Sequence, residues 1–341
     1  MKAVKQLLRV ALSALAFFAP NFAKAQTSVD VQKIYGGRIN TMAGFAHPTT
    51  VDQSVVFVAT ESANSLFYAT VSTPPASSVT FSNFQVLPCA SADDNYGSGI
   101  QRIATHRLSQ SVYFIASSNL IKSTTPYTTC SSVGFTNVSD IVIRQGYAFI
   151  LNDGTTFNYG TLNASGDYTA SGSLTVAAFG SATNAKLYVV PTNKIYCFGE
   201  GTTPVLYVAS INYNAITGAT TFAAVSLAPL SSSITWKAFG VGPDGRLFVG
   251  GSDNSTKSVA YSDDNGATWT TVATGLSGQA GQNFDFYQPS VGTYRVYFAK
   301  GYSTNKGATW AEFGNAGFQT HPNDGAVFCV PGSAGLASPS V

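Results

Sequence analysis

Apolar residues in this chain come in short runs separated by polar turns, with no stretch that keeps a helical spacing. Six of the runs are VVFVA (55–59), VYFIA (112–116), AFIL (148–151), IYCFG (195–199), LFVGG (247–251) and YRVYFA (294–299). They are rich in β-branched and aromatic residues, which favour strands. Each follows a second apolar segment across a turn of Pro, Asp, Asn or Gly, the pattern of a hairpin. The hairpin recurs as seven copies, at 46–59, 105–116, 142–151, 189–199, 241–250, 287–299 and 321–330, a mean period of about 45 residues. Behind six of them stands a second hairpin, so a full repeat holds four strands, the content of one β-propeller blade.

The expectation is therefore an all-β chain folded as one β-propeller of four-stranded antiparallel blades over residues 27–335, with a tail at 336–341. Seven copies favour seven blades, with six as the alternative, because the seventh copy stops after two strands. Residues 30–36 (DVQKIYG) would supply a spare strand to a shared closing blade, and closure removes exposed sheet edges.

Two of the second hairpins carry a sharper pattern. Ser262-Asp263-Asp264-Asn265-Gly266-Ala267-Thr268-Trp269 and Ser303-Thr304-Asn305-Lys306-Gly307-Ala308-Thr309-Trp310 repeat SxDxGxTW, with Asn305 in place of the second Asp. A Ser or Asp side chain bonds the amides of a tight turn, and glycine takes the position with φ above zero. Trp then packs between neighbouring blades as an apolar plug. This pattern resembles the Asp-box, or BNR repeat, of sialidases, sortilin-type receptors and xyloglucanase-type propellers. The opening GGRINTMAGFAHPTTVDQSVVFVA is similar to the first repeat of the sortilin and xyloglucanase types. The resemblance implies that the boxes lie at the blade periphery, away from the ligand site. On that footing Ser262, Asp264, Gly266, Thr268, Trp269, Ser303, Asn305, Gly307, Thr309 and Trp310 are structural.

The ends and the charge narrow the setting. Lys2, Lys5 and Arg9, an apolar run from Val10 to Pro20, and Ala23-Lys24-Ala25 read as a signal peptide over residues 1–25. Removing it takes four of the 18 basic residues and none of the 16 acidic ones, so the mature chain is slightly acidic. No basic patch points to nucleic acid, and no later apolar run is long enough to span a bilayer. The chain is expected to be secreted, extracellular or periplasmic, and monomeric. Export permits disulfides among Cys89, Cys130, Cys197 and Cys329, with three connectivities open. Cys197 and Cys329 occupy matching strand positions and read as small buried hydrophobes; Cys89 and Cys130 could pair.

Candidate chemistry is sparse. His47, His106 and His321 fall at one place in their repeats, on blades 1, 2 and 7. Three imidazoles could hold a metal, although turn bonding explains His at that position better, so no cofactor or metal is expected. Glu61, Asp153, Glu200 and Asp253 each follow the second strand of a repeat, so their loops share one face. A glycosidase needs two convergent carboxylates, one with a raised pKa; otherwise such acids form a solvated rim. Arg38 and Arg102 are the candidate ligand-binding arginines beside them. A sialidase needs more than this: its Arg-Ile-Pro signature appears only as Arg38-Ile39-Asn40, and the mature chain has only Glu61, Glu200 and Glu312. No GxSxG, HExxH, phosphate-binding loop or dinucleotide fingerprint occurs. The sequence thus favours a non-catalytic module that binds an extracellular glycan or protein. The alternatives are a glycoside hydrolase using carboxylates of one face, or an adhesion domain of a longer exported protein.

Overall fold

Each of the first six sequence repeats folds into one antiparallel sheet whose strands lie side by side in chain order. The computed structural model describes residues 39–50, 53–60, 66–72, 80–82, 84–87, 100, 102–177, 179, 183–190, 192–212, 215–253, 256–276, 284–290, 292–299 and 301–312. The inner strands of blades 1 to 6 are Ile39–Ala46, Arg102–His106, Val138–Arg144, Thr183–Val190, Thr235–Val241 and Phe284–Ser290. The second strands are Gln53–Thr60, Ser111–Ala116, Tyr147–Asn152, Lys194–Glu200, Leu247–Ser252 and Thr293–Phe298. Third and outer strands complete each sheet; in blade 1 the extra Gln85–Val86 also pairs with the third strand. Consecutive inner strands lie against one another from blade 1 to blade 6, which makes them the hub of a propeller ring.

The described residues form six blades, the alternative count of the sequence reading. The seventh copy, 321–330, and the spare segment 30–36 lie outside the described residues. Every regular element among the described residues is a strand. No helix among them is long and apolar enough to cross a membrane.

Apolar packing is organised between blades, and the two-residue period of a strand is the reason. In the second strand of blade 3, Ala148 and Ile150 pack with Ala104, Tyr113 and Ile115 of blade 2. The alternate residues Phe149 and Leu151 pack with Leu187, Ile195 and Cys197 of blade 4. Both faces of these strands are covered, so they read as unbroken apolar runs; Ser111–Ala116 is buried at every position. One such cluster fills each successive gap from blades 1 and 2 to blades 5 and 6. A fully buried Phe such as Phe149 or Phe239 contributes about 1.5–3 kcal/mol by leaving water. Cys197 belongs to this core as a free, buried thiol, in line with its reading as a small hydrophobe. Cys130 is disulfide-bonded; Cys89 and Cys329 lie outside the described residues.

Candidate functional site

Antiparallel pairing sets where the sequence candidates meet. Val138 pairs with Asn152, Thr183 with Glu200 and Thr235 with Ser252, so inner strands begin where second strands end. That end of the blades carries Arg102, Asp153, Glu200 and Asp253 together, and it is the candidate site. Arg38 and Glu61 lie outside the described residues.

Near this end the inner strands of blades 1, 3, 4 and 5 are irregular, with register breaks at Ile39/Thr41, Val138/Asp140, Thr183/Lys186 and Trp236/Ala238. An irregularity of this kind re-aims side chains out of the ladder. Its product here is a belt of buried charge around the hub. Arg102 Nε of blade 2 lies 3.2 Å from Asp140 Oδ1 of blade 3. Asp140 also accepts hydrogen bonds from Ile141 N at 2.8 Å and from Leu187 N of blade 4 at 2.7 Å. Beside Leu187, Lys186 pairs with Glu200 Oε1 at 2.6 Å and donates to the Lys237 carbonyl of blade 5 at 3.1 Å. Blades 2, 3, 4 and 5 are thereby joined in series.

Burial is the largest electrostatic influence on the belt, raising the Asp140 pKa and lowering that of Lys186, with the paired charges opposing it. Burial pushes Asp140 up, while Arg102 and the two backbone donors pull it back down. Burial pushes Lys186 down, Arg102 adds to that, and Glu200 opposes it. Such buried pairs require good geometry to offset desolvation. Each ion here has an opposite charge or a backbone partner from another strand. Arg144 of the same inner strand continues the contact between blades 3 and 4, donating to the Val189 carbonyl at 3.5 Å.

The described carboxylates of the face are therefore not alike. Glu200 is the last residue of its strand and is 5% exposed, held by Lys186 and by Asn184 at 3.3 Å. Asp153 is exposed and bonded by the amides of Asn137 and Asn152, each at 2.9 Å. Asp253 accepts from Thr256 N at 2.7 Å, closing its own turn. Around them the face presents Ser117, Ser118, Asn137, Asp153 and Asn184, exposed and with positive φ. Turns of this kind hold polar side chains outward at low strain, most readily with Asn and Asp. The surface is an amide- and hydroxyl-bearing rim above a neutralised belt.

The opposite end carries His47, His106 and the two box motifs. His47 Nδ1 accepts from Thr50 N at 3.0 Å, a turn-closing bond. His106 is buried; its Nδ1 is 2.7 Å from Ser109 Oγ, and burial lowers its pKa. His321 lies outside the described residues. No group of three His, Cys, Asp or Glu among the described residues is placed to hold a metal.

Both boxes close as one turn design. Ser262 Oγ accepts from Gly266 N at 2.8 Å and donates to Asp264 Oδ1 at 2.8 Å; Asp264 accepts from Thr268 N at 2.8 Å and Thr268 Oγ1 at 2.6 Å. Those bonds hold Asp264 down to about 2. In the second box Ser303 Oγ accepts from Gly307 N at 2.8 Å, and Asn305 Oδ1 accepts from Thr309 N at 2.9 Å. Asn305 Nδ2 donates to Thr309 Oγ1 at 2.8 Å, so the amide reproduces the ring of bonds with one polarity reversed. Gly266 and Gly307 have φ of 91° and 90°. Trp269 Nε1 donates to the Ser226 carbonyl of blade 4 at 3.0 Å, which fastens that box to its neighbour.

Sequence reasoning missed Asp140 and Lys186, the centre of the belt. The available signal was a charged residue one step ahead of an apolar inner-strand run, in SDIVIR and in AKLYVV.

No protein-family model matches the chain, and no curated protein sequence matches it. Among solved structures the chain is similar to the extracellular domain of a hybrid two-component system from B. thetaiotaomicron, at 8% identity and a TM-score of 0.43, over 77% of this chain and 37% of that one. The chain thus spans little more than a third of that protein's length. It is also similar to the N-terminal domain of Nup159, at 10% identity and a TM-score of 0.45, over 76% and 72% of the two chains. A computationally designed protein, Ika8, matches at 10% identity and a TM-score of 0.45, over 79% and 70%.

Proposed function

We propose that this chain is an exported, non-catalytic binding module that contacts an extracellular glycan or protein through the polar rim where the inner strands begin. The observation that carries the reading is the engagement of the rim acids in structure. Glu200 is buried under Lys186, and Asp153 is clasped by two amides. A glycosidase acid must instead stand beside its partner in reach of substrate, with a proton to give. What the rim offers is amides and hydroxyls on tight turns, suited to many weak polar contacts without bond cleavage. The leader-like N-terminal segment and the disulfide at Cys130 support an oxidising, exported setting.

The test is a glycan and protein array probed with the purified chain, run beside a hydrolysis screen on fluorogenic glycosides and sialosides. Binding that weakens at least tenfold in an Asn137→Ala/Asn184→Ala variant, with no turnover, is the expected result. Turnover that disappears in Asp153→Asn, Glu200→Gln or Asp253→Asn would replace the reading with the hydrolase.

A further inference from the structure

A second ligand position emerges from comparing blade 4 with blade 5, residue against residue. In blade 5, Arg246 lies across the ladder from Asp263, because Leu247 pairs with Ser262. Its guanidinium stacks over Tyr261 at 4.4 Å and binds both Asp263 oxygens at 2.6 and 2.8 Å. The same side chain donates to the Lys306 carbonyl of the blade 6 box turn at 2.6 Å. The gap between blades 5 and 6 is thus filled at this end by a cation, an aromatic ring and a carboxylate.

In blade 4 the register puts Lys194 opposite Ser210 and Tyr196 opposite Val208, while in blade 5 Phe248 pairs with Tyr261. Lys194 therefore stands where Arg246 stands, Val208 where Tyr261 stands, and Ser210 where Asp263 stands. The cation remains and still reaches the next box turn, with Lys194 Nζ donating to Asn265 Oδ1 at 2.6 Å. The ring and the carboxylate are replaced by smaller groups. At this place the structure has a cleft of about 230 Å³ lined by Lys194, Tyr196, Ser210, Thr220, Thr221 and Asn265 among others.

We propose that this cleft between blades 4 and 5 binds the terminal uronic acid residue of a glycan, its carboxylate on Lys194 and its ring in the space that Tyr261 fills in the next blade. An ammonium has three N–H donors and gives one to Asn265, so two remain for an anion. A charge-assisted bond of that kind is among the stronger ones a surface cleft can make. Thr220 Oγ1 is engaged with the backbone of Ser210, while the hydroxyls of Ser210 and Thr221 and the Asn265 amide nitrogen match the hydroxyls of a sugar ring, which a bare aromatic acid lacks. The volume suits a single ring, below the range typical of drug-sized ligands. Lys194 and Glu200 are the two ends of one strand, so the cleft opens away from the rim and stands independently of the rim's own ligand.

The experiment is a ligand-observed NMR titration of the full chain with methyl β-glucuronide, methyl β-glucoside and benzoate. Saturable glucuronide binding, at least tenfold tighter than the glucoside and benzoate, is expected. Lys194→Gln should weaken it at least tenfold. Val208→Tyr/Ser210→Asp, which restores the filling seen in blade 5, should abolish it, and Asn137→Ala at the rim should leave it unchanged. Glucuronide binding no tighter than glucoside, benzoate binding as tight as glucuronide, or full binding in the filled variant overturns the proposal. If the filled variant does not fold, Lys194→Gln decides alone.

Discussion

Removing the carboxylate of Asp140 tests whether the belt holds the blades together. In Asp140→Leu the side chain keeps its approximate volume and loses three interactions: the bond from Ile141 N, the bond from Leu187 N, and the pair with Arg102. Breaking a buried ion pair by deleting one partner costs about 3–5 kcal/mol. An inner-strand N–H left without an acceptor costs about 1–3 kcal/mol, and the two figures overlap. The Arg102 side chain is 20% exposed, so water can reach part of the guanidinium that loses Asp140, and the lower end applies, about 3 kcal/mol. Arg102→Met alone should cost about 1–2 kcal/mol, because Asp140 keeps both backbone donors. The double variant removes both charges of the pair and retains the unmet N–H groups, so it should cost less than the sum of the singles by about 1–3 kcal/mol. Urea unfolding of the four proteins, with midpoints and slopes fitted together, measures this cycle. An Asp140→Leu loss below about 0.5 kcal/mol, or strict additivity, would refute the argument that Asp140 joins blades 2, 3 and 4.

Three further outcomes follow from the opposite end. Asp264 has a folded pKa below the usual carboxylate range, so its stabilisation is in place above about pH 4 and fades as pH falls toward 2. Its carboxyl carbon should titrate by NMR with a midpoint near 2, and a midpoint near 4 would show the bonds to Thr268 unformed in solution. Burial lowers the His106 pKa, so the unfolded chain takes up that proton first and stability falls as pH drops below about 6.5. His106→Gln should flatten the urea midpoint between pH 7.5 and 5.5, and an unchanged slope counts against it. Gly307→Ala adds a Cβ at positive φ, 2.7 Å from Phe248, and should cost about 1–3 kcal/mol in thermal unfolding. Gly292→Ala, also at positive φ but with open space around it, should cost less; equal losses would remove the Phe248 contact from the account.

The blades were legible because strand alternation and turn residues are local signals. The runs at 112–116 and 148–151 coincide with second strands for that reason. Blade number is less local: it depends on how inner strands meet around the hub, which no local pattern encodes, and the hairpin read at 321–330 lies outside the described residues. The belt was hidden more deeply. Arg102, Asp140 and Lys186 lie on three strands about one repeat apart, and each is turned toward the next blade by its place in the strand and, for Asp140 and Lys186, by a neighbouring irregularity. Glu200 was visible as an acid after a strand, yet its burial is set by Lys186, which sits in the facing strand.

The same distance between signal and role explains why only two of the outer turns look like boxes. Lys194 reaches the side chain of Asn265, the third residue after the box Ser, and Arg246 reaches the backbone carbonyl of Lys306 at the matching place. Because the acceptor can be side chain or backbone, that position is free to be Asn in one box and Lys in the other. Blade 3 has no box sequence, yet Lys122 of blade 2 binds Asp167 at 2.5 Å and the Ser165 carbonyl at 3.4 Å in its outer turn. What recurs is a cation of one blade seated on the outer turn of the next. Only the tightest version of that turn needs the Ser, Gly and Thr that make a recognisable motif. Substitution of the grasping cation, as in Lys122→Ala, should therefore loosen a box-free interface much as Arg246→Ala loosens a boxed one, each by about 0.5–1 kcal/mol, since both cations bind partly solvated outer turns. A loss confined to Arg246→Ala in urea unfolding would show that the motif itself, and not the clasp, is what joins the blades.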